Sequence, residues 1–228
     1  MKLKKIASLA LAGIMAVSML AGCKDGGNSN SGSSSENTNT ASGYSAMLGQ
    51  KAAETLSDND RDKIFTFADN DKDQKALSDA ILEIGDSKLE SWVKSGYVVE
   101  LNHQNYKSVY DSFMADADLN RNDLVGVNSD TFFDGSNAAN TKKVGTIWVA
   151  NGTVSMDKVL DKIFNEYKGA FEKAQKTGTV GNNADEVTYD FKYTVSVSVV
   201  NKPVTSNTQF NGSINFIAVT VTRTGTVA

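Results

Sequence analysis

A long alternation of apolar and polar residues near the C-terminus constrains the fold of this 228-residue chain more than any other feature. From residue 187 to residue 199, every odd position is Val, Tyr or Phe and every even position is Thr, Asp, Lys or Ser. Successive side chains of a strand point to opposite faces, so this pattern predicts one long strand with a buried face and a wet face. Residues 214–224 predict a second strand, with a bulge between Phe216 and Ile217 where the apolar phase changes. The two strands predict a long C-terminal hairpin.

The sequence before this hairpin predicts the helices and strands that pack against it. Residues 156–174 place their apolar side chains on one stripe of a helix, opposite a face of Asp, Lys and Glu. Residues 144–150 are apolar on both faces, which is typical of a strand covered on both sides. Shorter helices are predicted over 47–56, 77–85, 87–94 and 106–114, and a strand over 97–101. The predicted fold class is α+β, with N-terminal helices followed by a largely antiparallel sheet. The long C-terminal hairpin of that sheet packs against an amphipathic helix, and the helices lie on one face.

The first 22 residues have the features of a secretory signal peptide. Three of the first five residues are lysines, residues 6–20 carry no charge and are mostly apolar, and small residues follow. The apolar run is too short for a settled membrane span. The motif Leu20-Ala21-Gly22-Cys23 resembles the lipobox of bacterial lipoproteins, in which the cysteine thiol receives a diacylglyceryl group and becomes the mature N-terminus. The resemblance implies acylation of Cys23 and attachment to the extracytoplasmic face of the cell membrane. The alternatives are a signal for soluble secretion with an incidental cysteine, or an uncleaved anchor helix.

The chain has only one cysteine and one histidine, and this excludes several kinds of chemistry. With one Cys and one His, the chain cannot close an internal disulfide or supply the ligands of a structural zinc or iron–sulfur site. Once Cys23 carries lipid, the folded domain has no thiol. The net charge of −4 becomes −7 when the leader and its three lysines are removed. That charge argues against a nucleic-acid partner and against electrostatic binding to anionic lipid, so acyl chains must supply the anchor.

A polar stretch separates the lipid attachment site from the folded part. Of the 20 residues from 26 to 45, 17 are Gly, Ser, Asn or Thr, and such a segment has too little apolar surface to order itself. The predicted organisation is a signal peptide over 1–22, the lipidated cysteine with a flexible linker over 23–45, and an extracytoplasmic domain over 46–228. Residues 115–142 are rich in Asp, Asn and Gly without a clear period, and predict a long loop or subdomain joint.

Four acidic residues give a candidate calcium site. Asp58, Asp60, Asp62 and Asp69 occupy positions 1, 3, 5 and 12 of a segment that resembles an EF-hand loop. The resemblance implies that their oxygens converge on Ca²⁺. The segment departs from the family at Lys63, where glycine makes the sharp turn, and at position 12, where glutamate is the usual ligand.

Helix capping is the alternative role for these acids. In that interpretation Ser57 or Asp58 caps one helix and Asp69 or Asp71 caps the next, since Asp is a favoured N-cap residue. A second acidic and amide cluster lacks both the glycine and the distant acid. That weaker cluster comprises Asp116, Asp118, Asn120 and Asn122.

Three further residues are candidates for catalysis or ligand stacking. His103 lies between a predicted strand and helix and is the only side chain with an ordinary pKa near 7, but no nucleophile motif accompanies it. A pair of carboxylates could hydrolyse a glycoside, although no spacing in the sequence selects a pair. Trp92 and Trp148 could stack on a sugar, but both follow apolar patterns that favour the core.

These observations favour a lipid-anchored extracytoplasmic lipoprotein with a non-catalytic binding or interaction domain. The expected partners are the membrane, through covalent lipid, and a cell-surface protein or glycan. Two alternatives remain open. One is a carboxylate-based hydrolase of glycan or peptidoglycan, and the other is a calcium-dependent structural or adhesive protein.

Overall fold

The computed structural model describes residues 39–41, 43–56, 63–85, 89, 98–119, 132–135, 137–181, 185–205 and 211–228. The helices are α1 (Tyr44–Leu56), α2 (Asp71–Ala80), α3 (Lys107–Asp116) and α4 (Met156–Lys173), and a short 3-10 turn (Ile81–Glu83) follows α2. The strands are β1 (Asn39–Ala41), β2 (Phe65–Phe67), β3 (Val98–Glu100), β4 (Lys142–Asn151), β5 (Thr177–Val180), β6 (Val187–Thr205) and β7 (Asn211–Val227).

The strands form one seven-stranded sheet organised around the long strand β6. The order across the sheet is β1-β6-β7-β4-β3, and β2 and β5 also pair with β6. Strand β6 has 19 residues, so β5, β2 and β1 pair with successive parts of one of its edges while β7 occupies the other. Among the described strands, only the pairing of β2 with β6 is parallel. The predicted α+β class with a largely antiparallel sheet is confirmed.

The C-terminal hairpin has an uninterrupted register. Strands β6 and β7 pair continuously from Tyr189 opposite Val227 to Thr205 opposite Asn211. The predicted bulge between Phe216 and Ile217 is therefore wrong. Phe216 packs in the core on one side of the sheet and Ile217 in the core on the other, because helices cover both faces at this point. The apparent change of phase in the sequence reflects burial on both sides.

Helix α4 lies on the sheet face that carries the odd-numbered side chains of β6. Its apolar stripe is buried at Val159, Leu160, Ile163, Phe164, Tyr167, Ala170 and Phe171. Helix α1 packs beside it through Leu48, Ala52 and Leu56, each no more than 1% exposed. At the surface of this helix pair, the Lys51 ammonium contacts Asp157 and Asp161 of α4, each at 2.6 Å. The predicted packing of the hairpin against an amphipathic helix is confirmed.

Helices α2 and α3 cover part of the opposite sheet face. A second core there includes Leu77 of α2, Phe113 of α3 and Ala218 of β7. The expectation of helices on one face is therefore wrong, and so is the expectation that the even-numbered side chains of β6 are all wet. Ser196 and Ser198 are at most 3% exposed. Small hydroxyl side chains alternate in sequence like surface residues, yet they are short enough for a helix to pack over them.

The first described residues lie inside the segment that the sequence assigns to the linker. Asn39–Ala41 pairs antiparallel with residues 199–201 of β6, and α1 begins at Tyr44. The chain therefore enters the domain beside the far part of β6, away from the end where β5 pairs. In the described part of the chain, no helix is both long enough and apolar enough to cross a membrane.

Candidate functional site

Several of the residues singled out from the sequence fall outside the described ranges. These are Cys23, Ser57, Asp58, Asp60, Asp62, Trp92, Asn120 and Asn122. Acylation of Cys23 and calcium binding by the aspartates therefore stay predictions. Within the described ranges, no group of three or more His, Cys, Asp or Glu residues is arranged to hold a metal ion.

Asp69, the fourth predicted calcium ligand, makes a local contact with the start of α1. Its Oδ2 accepts a hydrogen bond from the Gly43 N–H at 2.8 Å. The N-cap of α2 is Asn70, whose side chain accepts from the N–H groups of Lys72 and Asp73. The prediction that Asp69 or Asp71 caps this helix is wrong by one residue, since the asparagine between them has the extended backbone that an N-cap needs.

The second acidic cluster is described only at Asp116 and Asp118. The Asp118 carboxylate accepts a hydrogen bond from Lys72, and this bond holds the pKa of Asp118 below its usual range. Asp118 lies two residues beyond the end of α3 and has a φ of 56°, in the left-handed region. Its visible role is to join the end of α3 to the start of α2.

His103 lies against an aromatic ring. Its imidazole meets the ring of Tyr110 edge-on, with 5.2 Å between centroids, and its Nε2 is buried without a hydrogen-bond partner in the described part of the chain. The Tyr110 hydroxyl donates to the Leu101 carbonyl at 2.8 Å and accepts from the Ile147 N–H at 3.1 Å. Burial raises the pKa of Tyr110 above its ordinary value. These contacts give His103 a packing role at the turn between β3 and α3.

Trp148 is a core residue, as predicted. It is 4% exposed, and its indole N–H donates to the Tyr167 hydroxyl at 2.8 Å and to Thr146 Oγ1 at 3.2 Å. The hydroxyls of Thr146 and Tyr167 are also hydrogen-bonded to each other. This network satisfies the buried polar atoms between β4 and α4. Its burial raises the pKa of Tyr167 above the ordinary value.

A pair of glutamates lies beside this network at the edge of the sheet. Glu100 of β3 stands opposite Trp148 in the β3–β4 register, and Glu166 of α4 precedes Tyr167. Although the Glu100 side chain reaches solvent, partial loss of hydration raises its pKa, and the negative charge of Glu166 raises it further. Glu166 also accepts a hydrogen bond from Lys162 at 3.3 Å. The sequence could not select this pair, because its members lie on a strand and a helix that meet only in the fold.

One end of the sheet has a face that no described helix covers. The even-numbered side chains of β6 and their partners on β5 and β7 form this surface, which we call the threonine face. Its exposed threonines are Thr177, Thr179, Thr188, Thr194, Thr224 and Thr226. Adjacent strands lie about 4.8 Å apart and alternate residues about 6.7 Å apart, so the hydroxyls form a regularly spaced array. The array also contains Asp190 and Lys192, whose charges cancel.

The covered part of the same sheet face contains a buried ion pair. The Lys143 ammonium of β4 lies 2.5 Å from Asp73 Oδ1, and the side chains are 12% and 1% exposed. Thr220 of β7 donates to Asp73 Oδ2 at 2.6 Å. Lys143 also donates to the Ala117 carbonyl at 2.7 Å. These bonds tie α2 and the end of α3 to two neighbouring strands of the sheet. Sequence reasoning missed this group, since its members are distant along the chain.

The chain has no significant match among protein-family models, curated proteins or solved structures.

Proposed function

We propose that this chain is a lipid-anchored extracytoplasmic lipoprotein whose α+β domain binds a glycan at the cell surface. The proposal of a lipid anchor rests on the position of the single cysteine. It follows a basic start, an apolar run and Leu20-Ala21-Gly22, as a lipobox requires. Two or more acyl chains on Cys23 hold a protein firmly at a membrane, whereas one chain holds it only marginally.

The threonine face supports a glycan as the ligand. Threonine hydroxyls both donate and accept hydrogen bonds, as sugar hydroxyls do. The face is exposed and close to neutral, which suits an extended uncharged polysaccharide better than a highly charged partner. The chain enters the domain at β1, beside residues 199–201 of β6, whereas the threonine face lies on the part of β6 from residue 188 to residue 194. Under this proposal the linker attaches away from the surface that meets the ligand.

The anchor is tested by metabolic labelling with an alkyne analogue of palmitate in a bacterial host. The wild-type protein should carry the label and partition into detergent, and its N-terminal peptide should contain diacylglyceryl-modified Cys23. The Cys23→Ser variant should carry no label. Ser18→Ala, a change within the same leader, is the control and should be labelled normally. Recovery of wild-type protein with an unmodified N-terminus would overturn the anchor.

Binding is tested by co-sedimentation with insoluble cell-wall polysaccharide and with purified peptidoglycan. Replacing Thr188, Thr224 and Thr226 together by valine removes three hydroxyls while keeping side-chain shape and strand preference. The triple variant should bind roughly tenfold more weakly, since each lost hydrogen bond contributes about 1 kcal/mol and the effects do not add fully. Thr153→Val, at the other end of the sheet, is the control. Equal sedimentation of the wild type and the triple variant would contradict the proposed surface.

The glutamate pair favours a second candidate function, hydrolysis of a glycan. A glycosidase needs one carboxyl group with a raised pKa to act as acid and a second carboxylate nearby. Glu100 has a raised pKa, and Glu166 is a neighbouring carboxylate. Under this candidate Glu100 donates the proton to the leaving group and Glu166 is the base or nucleophile.

Release of new reducing ends from peptidoglycan or glycan tests the second candidate. Glu100→Gln and Glu166→Gln should each abolish any release, because the reaction needs both the acid and the base or nucleophile. Glu172→Gln is the control, since Glu172 also lies on α4 and pairs with a lysine four residues before it. Activity that survives both changes would eliminate the glutamate pair as the catalytic residues. If the wild type binds glycan but releases no reducing ends, glycan binding without hydrolysis stays the proposed function.

A further inference from the structure

The buried contact between Lys143 and Asp73 is placed for a covalent reaction. We propose that the Lys143 side-chain nitrogen and the Asp73 carboxyl carbon form an isopeptide bond. The reaction is a condensation of two side chains within one chain, with water as the only other product. It needs no cofactor or external reagent and is independent of the function proposed above.

Burial distinguishes this pair from the other lysine–carboxylate contacts of the described residues. The Asp73 side chain is 1% exposed and that of Lys143 is 12% exposed. By contrast, Lys72 and Asp118 are 55% and 72% exposed, and the contact between Lys75 and Asp79 is also open to solvent. A site largely shielded from water favours condensation, because little water is present to separate the reacting groups or to compete as a nucleophile.

The contacts assign a role to each oxygen of Asp73. Oδ1 lies 2.5 Å from the Lys143 nitrogen, so it can receive protons from that nitrogen. Oδ2 accepts a hydrogen bond from Thr220, at 2.6 Å, which stabilises negative charge on that oxygen when the carbonyl is attacked. Oδ1 is therefore the oxygen that leaves, and Oδ2 becomes the amide carbonyl oxygen.

The atoms and charges balance without another reactant. The Lys143 ammonium transfers one proton to Oδ1, which gives a neutral amine and a neutral carboxylic acid. The amine nitrogen then attacks Cγ of Asp73, and a tetrahedral intermediate forms with negative charge on Oδ2. A second proton passes from nitrogen to Oδ1, the Cγ–Oδ1 bond breaks, and water leaves. One hydrogen stays on the nitrogen of the amide.

The product keeps the hydrogen bonds that surround the ion pair. The amide carbonyl can still accept from Thr220, and the amide N–H can still donate to the Ala117 carbonyl, which Lys143 contacts at 2.7 Å. The product is also neutral, whereas the buried charges of the ion pair carry a desolvation penalty. The bond would link α2 to β4 across 70 positions of a chain whose single cysteine allows no internal disulfide.

Mass spectrometry of the full chain tests the bond directly. The folded protein is purified, its intact mass is measured, and it is then denatured and digested with trypsin. A cross-linked chain is lighter than its sequence by one water molecule. Trypsin cannot cut after an acylated lysine, so peptide 73–75 should be recovered joined to peptide 143–158. Recovery of separate peptides 73–75 and 144–158, with an intact mass that lacks no water, would overturn the proposal.

Variants separate the chemistry from folding. Lys143→Met should show no loss of water, whereas Lys192→Met, an exposed lysine of the threonine face, should keep the bond. Thr220→Val keeps the side-chain shape and should slow bond formation by roughly tenfold or more, because it removes the donor to Oδ2. An unchanged rate in folded Thr220→Val would disprove the role of Thr220. The wild-type mass decides the main point even where a variant fails to fold.

Discussion

The guanidinium of Arg223 stacks over the ring of Phe191, with Cζ 4.4 Å from the ring centroid. Arg223 is fully buried near the end of β7, where it donates to the carbonyls of Asp134 at 2.7 Å and Asn137 at 3.1 Å. A buried guanidinium needs such partners, because its hydration is lost on folding. This side chain therefore fastens the loop before β4 to the hairpin.

Removing this guanidinium should destabilise the domain. Arg223→Met leaves the loop carbonyls without their donor and loses the contact with the ring, so we expect a loss of about 2 to 4 kcal/mol in the free energy of unfolding. Urea denaturation followed by circular dichroism measures it. Lys176→Met, at an exposed position near the same loop, should change stability by less than about 0.5 kcal/mol. Equal midpoints for the two variants would contradict the proposed role of Arg223.

Two glycines should respond to alanine in opposite directions. At Gly178 a Cβ would lie 2.5 Å from Cζ of Phe191 and 2.6 Å from the Gly135 carbonyl oxygen, whereas at Gly169 it would meet nothing within 4 Å. Gly178→Ala should cost about 1 to 3 kcal/mol through overpacking. Gly169→Ala, on the exposed side of α4, should stabilise by about 0.5 to 1 kcal/mol because alanine favours helix. Thermal melting of the two variants checks the opposite signs, and a lower melting temperature for Gly169→Ala would count against them.

Glu100 should make folding stability depend on pH in the acidic range. Its pKa is raised in the fold above the ordinary 4.5, so the folded state binds its proton more tightly than the unfolded state. Stability therefore falls as the pH rises through 4.5 toward the folded pKa. Glu100→Gln should be more stable than the wild type at neutral pH and equal to it well below that range.

A second variant tests the smaller of the two causes of this shift, which is the negative charge of Glu166. Glu166→Gln removes the nearby negative charge and should lower the pKa of Glu100 toward its usual value. Denaturation across acidic and neutral pH measures both variants, with Glu172→Gln as the control. A constant stability difference between wild type and Glu100→Gln at every pH would contradict the prediction.

Tyr193 should contribute to unfolding at alkaline pH. Burial raises its pKa from 10.0 to about 12, and its hydroxyl donates to the Gln175 carbonyl at 3.0 Å. The unfolded state ionises first, so the contribution of Tyr193 to stability is complete below pH 10.0 and is lost between there and about pH 12. Tyr193→Phe should cost about 1 kcal/mol at neutral pH through the lost hydrogen bond. The difference from wild type should shrink as the pH rises above 10.0.

Denaturant unfolding at several alkaline pH values checks this dependence. Tyr189→Phe, on the same strand and sheet face but only half-buried, is the control for losing a hydroxyl. A wild-type advantage that stays constant up to pH 12 would be evidence against ionisation of Tyr193 as the cause.

Calcium binding at the aspartate segment stays a prediction that melting can decide. If Asp58, Asp60 and Asp62 bind Ca²⁺ together with Asp69, millimolar calcium should raise the melting temperature relative to chelator, since a ligand that binds only the folded state stabilises it. Asp60→Asn should reduce the shift, and Asp79→Asn on α2 should leave it unchanged. Identical melting with calcium and with chelator would remove calcium from the function.

The hairpin and α4 could be predicted from the sequence because their signals are local. Alternation over β6 and the apolar stripe of α4 follow directly from the geometry of strand and helix. Trp148 could be assigned to the core for the same reason. Ser196 and Ser198 could not, because whether a small hydroxyl faces water depends on whether a helix from elsewhere in the chain covers it.

The candidate sites also differ in whether a local sequence pattern or the tertiary structure identifies them. The lipid-attachment prediction at Cys23 comes from sequence alone, because a lipobox is a short linear motif that is read before the domain folds. Pairing Glu100 with Glu166, and enclosing Lys143 with Asp73 and Thr220, required the tertiary structure. Each of these groups brings together residues from different strands and helices, and only the register of the sheet and the packing of helices on both its faces set their distances. Sequence periodicity determines which face of an element is apolar, whereas tertiary packing determines which polar groups are removed from water together.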